Sequence, residues 1–194
     1  MKLLKTINMN SFFEKNASLF LENPELIEDF QNIMTFKKFS KNHILHEKGK
    51  ICNKVYMITS GIARVFYYKE DKDITVHFSA EQESITAVDS YMQRTKSKYC
   101  IEALEDLEVM VIRYDAMENL FQKHPTYEHF GRLFLQHAYI DLVERLEDLQ
   151  LHTAHERYEN LLAKNPSLFQ RVASKHIASF LGMTPETFSR IRAK

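Results

Sequence analysis

The chain has 194 residues, 44% of them hydrophobic and 27% charged, with 4 Gly, 4 Pro, 2 Cys and a formal net charge of zero. That composition excludes a long disordered linker, a uniformly cationic protein and a disulfide framework. No apolar run approaches the ~20 residues that span a bilayer, and Met1 to Asn10 offers no unbroken apolar stretch of the kind a secretory leader needs, so a cytoplasmic location is expected.

Residues 11–34 read as helical, because Phe12, Phe13, Leu19, Phe20, Leu26, Ile27, Phe30 and Ile33 recur near helical spacing, with an interruption near Pro24. From Phe36 the pattern changes. Phe39, Ile44 and Leu45 lead into the turn signal His46-Glu47-Lys48-Gly49. Strands are predicted at Val55–Thr59, stopped by Ser60-Gly61, at Ile62–Tyr68 and at Ile74–Phe78, with Lys69–Asp73 as a charged hairpin tip. After a less regular stretch, Tyr99–Leu104 and Leu107–Ile112 read as two more strands, joined through Glu105-Asp106. Short strands at this spacing point to an antiparallel barrel or sandwich. Asp115 is placed to cap a short helix running to the break at Pro125.

Residues 126–150 read as one long helix with two apolar stripes. One carries Leu135, Ala138, Leu142, Leu146 and Leu149; the other carries Phe130, Leu133, Phe134, His137 and Ile140. Two stripes require two buried faces. One can cover the β-domain, and the other suits the same helix of a second subunit; a single thick core within one chain is the alternative. A further helix carrying Tyr158, Leu161 and Leu162 is expected to end near Lys164-Asn165-Pro166.

The last segment is the most informative. From Leu151 onward seven cations (Arg157, Lys164, Arg171, Lys175, Arg190, Arg192, Lys194) stand against three glutamates (Glu156, Glu159, Glu186), so this end carries +4 and residues 1–150 carry −4. A basic tail on an acidic body suits a nucleic-acid binder, although a solvated charged face gives the same count. Ile177, Ala178 and Leu181 form the inner face of a helix. Gly182 sits just past its end, where a left-handed residue lets the chain reverse. Thr184 is a cap and Pro185 the first residue of the next helix, whose Phe188 and Ile191 face inward. Helix, short turn and capped helix with polar outer residues is the DNA-reading helix-turn-helix; a plain α-hairpin with a solvated face is the alternative. Arg190 can bond a guanine twice, and Glu186 can accept from a cytosine amino group. Lys175, Arg192 and Lys194 are candidates for phosphate contacts, and Thr184, Thr187 and Ser189 complete the outer face.

The residues Ile177-Ala178, Leu181-Gly182, Thr184, Glu186-Thr187 and Ser189-Arg190-Ile191 resemble the helix-turn-helix of the Crp/Fnr family of bacterial regulators. The segment Val55 to Val65, and less specifically Ile101 to Val109, is similar to the cyclic-nucleotide-binding-type roll of that family. The resemblance covers nearly the whole chain. It implies an α+β fold with an N-terminal antiparallel β-roll sensor over residues 1–125, a dimerisation helix over 126–151 and a helix-turn-helix over 152–194. The implied function is that of a sequence-specific transcriptional regulator. Its partners would be double-stranded DNA, a second copy of itself, RNA polymerase and a small-molecule effector, with no cofactor. Glu186 and Arg190 fall on the family's base-reading positions, and Pro185 stands where cyclic-AMP-binding members carry an arginine.

The expected effector pocket comprises Val88, Asp89, Ser90, Ser97 and Tyr99. It departs from the cyclic-nucleotide pattern. Ser97 stands where the phosphate-gripping arginine belongs, and Asp89 at best replaces the ribose-binding glutamate. Lys96 and Lys98 alternate with Ser97, so they would point away if Ser97 faces inward. Classical cyclic AMP is therefore not the expected effector. The wing that often follows the reading helix has no counterpart before Lys194.

Other features read as structural. His43 with His46, and His152 with His155, are three apart but lack a third ligand, so solvated histidines are expected and no metal. Cys52 and Cys100 read as plain thiols. Tyr67, Tyr68 and Phe78 read as strand packing, and Glu105-Asp106 as a turn. No phosphate loop or nucleophile motif supports an enzyme. The rival to a regulator is a ligand-binding or interaction module whose C-terminal hairpin does not read DNA.

Overall fold

The computed structural model describes residues 18, 23–70 and 72–193. The N-terminal part of the predicted 11–34 helix, with Phe12, Phe13, Leu19 and Phe20, lies outside these residues, as does Lys194. The described part of that helix is α1 (Pro24–Asn32). The helical reading to residue 34 is corrected at its end, because Met34–Phe39 is a strand, β1.

Among the described residues, eight strands make two antiparallel sheets. The others are β2 (Ile44–His46), β3 (Lys54–Ser60), β4 (Ala63–Lys69), β5 (Lys72–Ser79), β6 (Ser84–Ile85), β7 (Cys100–Ala103) and β8 (Leu107–Arg113). One sheet runs β1-β8-β3-β6 and the other β2-β7-β4-β5. Alternation sets the inner faces. Tyr56 and Ile58 of β3 meet Val109 and Val111 of β8, and these pack on Val65 of β4 and Ile101 of β7 in one core. The chain crosses between sheets at Gly61, whose φ is +101°. A Cβ there would lie 2.6 Å from the Asp106 carbonyl oxygen, so only glycine fits the crossing. The stretch read as irregular contains one short helix, α2 (Val88–Gln93).

Helix α3 (Tyr114–Lys123) follows β8 without a break. Asp115 does not cap it. The cap position is Arg113, and Asp115 sits in the first turn with its carboxylate accepting both guanidinium bonds from Arg113, at 2.9 and 2.8 Å. Pro125 opens the long helix α4 (Pro125–Leu151). Its start is held by Tyr127, buried with Leu26 and Leu120. Beyond, Leu133, Phe134 and His137 are half-buried, but Ile140 is exposed, so the roll-facing stripe ends earlier than the sequence pattern suggests.

Helix α5 (Ala154–Lys164) begins with a complete capping box, Thr153 with Glu156. It is followed by α6 (Leu168–Arg171), α7 (Ser174–Phe180) and α8 (Pro185–Arg192). Leu161, Leu168, Val172, Ile177, Ala178, Leu181 and Phe188 form their core, and Ile62, Phe78 and Leu104 of the roll join it. The C-terminal helices therefore share a core with the roll.

Candidate functional site

The turn between α7 and α8 has the predicted local chemistry. Gly182 takes φ +66°. The Thr184 hydroxyl accepts the Thr187 amide hydrogen at 3.2 Å, closing one orphan donor of α8, and Pro185 occupies its first turn. Phe188 is 1% exposed and fixes the inner face. On the outer face Glu186, Ser189, Arg190 and Arg192 are exposed, as are Thr184 and Lys175, while Thr187 is half-buried. Backbone hydrogen bonding in the first turn, the Thr184 hydroxyl and the charge of Lys72 hold the Glu186 carboxyl below its ordinary range. At neutral pH it is thus an ionised acceptor. Arg192 also reaches back to the Ser174 hydroxyl at 3.4 Å.

The expected dimer residues lie elsewhere. Leu135, Ala138, Leu142, Leu146 and Leu149 all sit exposed on α4, Leu142 by 64%. Tyr139, Val143 and Leu151 extend that apolar surface. Leu149 borders the Gly182 turn, but the stripe as a whole stays exposed among the described residues, and the single thick core that was the alternative is not what forms.

The five expected pocket residues split. Val88 is exposed on α2. Ser90 is buried, its hydroxyl accepting the Cys52 amide at 2.7 Å and donating to the Thr95 carbonyl. Asp89, Ser97 and Tyr99 come together. Ser97, only 3% exposed, donates to Asp89 Oδ1 at 2.8 Å and accepts the Tyr99 amide at 2.9 Å. The amides of Ser90 and Lys98 add bonds to the same carboxylate at 2.7 and 3.0 Å. Lys96 and Lys98 are exposed, as alternation around a buried Ser97 requires. Tyr99 meets Tyr67 edge-on at 6.1 Å, whereas Tyr68 is 53% exposed.

The sequence reading missed several residues. Arg94 takes a left-handed backbone, lies 3.8 Å from the Tyr114 ring and donates to the Cys52 carbonyl at 2.9 Å. His46 is buried with Nε2 unpartnered, not solvated; His43, His152 and His155 are exposed. Most consequential are the groups that dock α7 on the roll. Ser179 Oγ accepts the Thr75 amide at 3.0 Å and donates to the Asp73 carbonyl at 3.3 Å. Arg171 grips Glu81 at 2.9 and 2.7 Å and also bonds Glu105. That guanidinium, together with the Gly61 amide, holds Glu81 down at about 2.

Residues 36–124 match the cyclic nucleotide-binding domain family. Solved structures of similar architecture include a Crp/Fnr family protein from Eubacterium rectale, with a TM-score of 0.69 at 15% identity over 87% of this chain and 81% of that one. The chain has the architecture of Crp/Fnr-type structures around a cyclic nucleotide-binding domain. The same architecture aligns this chain with the c-di-GMP responsive global regulator of Xanthomonas campestris, with a TM-score of 0.68 at 16% identity over 88% and 90% of the two chains. In sequence, the chain is 24% identical over 146 residues to the anaerobic regulatory protein of Bacillus subtilis (strain 168). That match takes in 74% of this chain, and the chain spans 61% of the Bacillus protein's length. Among the described residues, no helix is long and apolar enough to cross a membrane.

Proposed function

We propose that this protein is a transcriptional regulator, not an enzyme, that reads DNA with α8 as a homodimer joined along α4. The observation that carries the reading is the capped α8. Its aromatic side is locked into the core, while Glu186, Ser189 and Arg190 face solvent with a matching donor and acceptor set. The uncovered stripe on α4 supports the dimer, because two reading helices are needed to span two half-sites about one helical turn apart. Pro185 offers no side-chain donor, so specificity falls on Glu186 and Arg190.

A titration of duplex DNA across a salt series tests this. Arg190→Ala should weaken specific binding by ~1–3 kcal/mol and relax preference at one base pair. Lys175→Ala should weaken specific and non-specific binding together and lower the salt slope by about 1. Equal loss of specific and non-specific binding in Arg190→Ala would place that residue on the phosphates and remove it from base reading.

The effector is proposed to be something other than classical cyclic AMP. A buried phosphate must have its charge compensated, and here the donors around Ser97 already serve the Asp89 carboxylate. A second anion brought to them would meet that carboxylate. Isothermal titration calorimetry with cyclic AMP should show no binding at micromolar concentrations; a micromolar or tighter dissociation constant would contradict the reading.

A further inference from the structure

The roll-facing side of α7 carries a buried polar cluster that the DNA-reading proposal does not use. His176 is 7% exposed, and its Nδ1 has no hydrogen-bond partner. The nearest carboxylate oxygen, Oδ1 of Asp73 on β5, is 4.0 Å away, beyond bonding distance. Asp73 is already committed to the Arg64 guanidinium of β4 through its other oxygen, at 2.6 Å. Arg64 is itself buried and also bonds Thr75 at 3.0 Å and Glu102 of β7 at 2.8 Å. The charged groups acting on His176 are thus Arg64 and Asp73 from the roll and Lys175 from α7, with Glu102 of β7 as the second carboxylate on Arg64. One turn further along α7, Ser179 makes the bonds to Thr75 and Asp73 described above. Phe180 packs on Phe78 of β5 at 5.2 Å and beneath the Arg145 guanidinium of α4 at 3.9 Å. Arg145 Nη1 is a second buried, unpartnered donor on this seam.

We infer that His176 is a positioning residue for the DNA reader: as a neutral imidazole it lets α7 seat on β4 and β5, and on gaining a proton it loosens that seat. The inference rests on the proposal that α8 reads DNA, because α7 and α8 share one core. The physical reason is the cluster's charge. A proton on His176 adds a buried cation beside Arg64, whose two carboxylates, Asp73 and Glu102, are already paired with that guanidinium. Burial, and then the charge of Arg64, push the docked imidazole from its ordinary 6.5 down to about 4.

The sign follows from linkage. The docked pKa is depressed, so between about pH 6.5 and 4 the loosened state binds a proton that the docked state refuses, and docking weakens as pH falls. Desolvation also holds His77 of β5, beside Asp141 and Arg145 of α4, below its ordinary range and Glu83 above its own, so the His176 variants are what separate this seat from those groups. Arg64 keeps Asp73 below its ordinary range, and Arg171 keeps Glu81 at about 2. The reader is therefore seated at neutral pH and freed in mild acid.

The Thr75 amide reports the seat without DNA, because its hydrogen goes to Ser179 on α7. Hydrogen exchange of that amide in the full chain, corrected for intrinsic rate, should accelerate about 30-fold between pH 7.5 and pH 5. Core amides such as Val109 should stay protected. His176→Gln should hold the pH 7.5 protection down to pH 5, and His176→Lys should lose it already at pH 7.5. Wild-type Thr75 protection that does not change with pH would overturn the inference, and so would an unaltered pH dependence in His176→Gln. If neither variant folds, the wild-type profile at Thr75 against Val109 still decides. A protein that shows this exchange profile and binds no DNA would sink the reader and leave the seat intact.

Discussion

Leu142→Glu should turn the protein into a monomer, or into aggregates, at concentrations where the wild type is a dimer. Leu142 is the most exposed of the four stripe leucines on α4, and it lies between Ala138 and Leu146 on the same face. In a two-fold pair of α4 helices that face meets its own copy, so one substitution places two carboxylates in one apolar seam. An uncompensated buried charge costs about 3–5 kcal/mol, so the dimer dissociation constant should rise by roughly 100-fold or more. Light scattering at micromolar concentration reads the result directly. A monomeric wild type, or a Leu142→Glu variant that still dimerises, would remove the stripe as the interface. DNA affinity should fall with the dimer, since a single reading helix contacts one half-site.

Phe188→Ala should cost about 3–5 kcal/mol of stability, the usual range for a large aromatic in a well-packed core. The ring is 1% exposed and sits in an aromatic group with Tyr158 at 5.6 Å and Phe169 at 6.2 Å. Tyr158 and Phe169 also meet edge-on at 5.2 Å, so removing Phe188 leaves a gap that two other rings must share. Ile177, Ala178 and Leu181 line the same cluster, which means α7 loses support along with α8. Denaturant unfolding followed by circular dichroism tests this; a loss below about 1 kcal/mol would show that the helices hold without the ring. The outward-facing Arg190→Ala should, by contrast, leave the unfolding midpoint unchanged.

The sequence made legible those parts whose cause is local. Thr184, Pro185 and Gly182 signal a capped helix after a reversing turn within four residues, and the structure has that turn. Strands β3, β4 and β5 were legible because their β-branched and aromatic runs end at Ser60-Gly61 and at the charged tip near Glu70. Strand β1 was not. Its pairing with β8, Met34 against Ile112, is long-range, and Thr35, Phe36, Lys37 and Lys38 are all exposed, so no buried alternation marks it. Helix α2 is six residues long with no side-chain cap, too short for a helical period to show. Asp115 looked like a cap because aspartate favours that position, but the strand β8 runs directly into the helix and Arg113 takes the carboxylate.

The candidate site divides along the same line. The outer face of α8 could be listed from spacing alone, as could the α4 stripe. The docking of α7 could not. Ser179 and Thr75 are 104 residues apart, and Arg171 and Glu81 are 90 apart. Glu81, Asp73 and His176 look like ordinary surface residues until the fold brings them together. Ser97 and Asp89 were named for what they fail to supply to a phosphate; their bond to each other appears only in three dimensions.

Selection of binding sites from a random pool of duplex DNA, carried out with the full chain near physiological salt, tests the central claim most directly. The account predicts enrichment of a two-fold-symmetric site, with half-sites centred about one helical turn apart and a guanine preference that Arg190→Ala erases. A pool that stays random after repeated rounds, while the protein remains folded and dimeric, would contradict it.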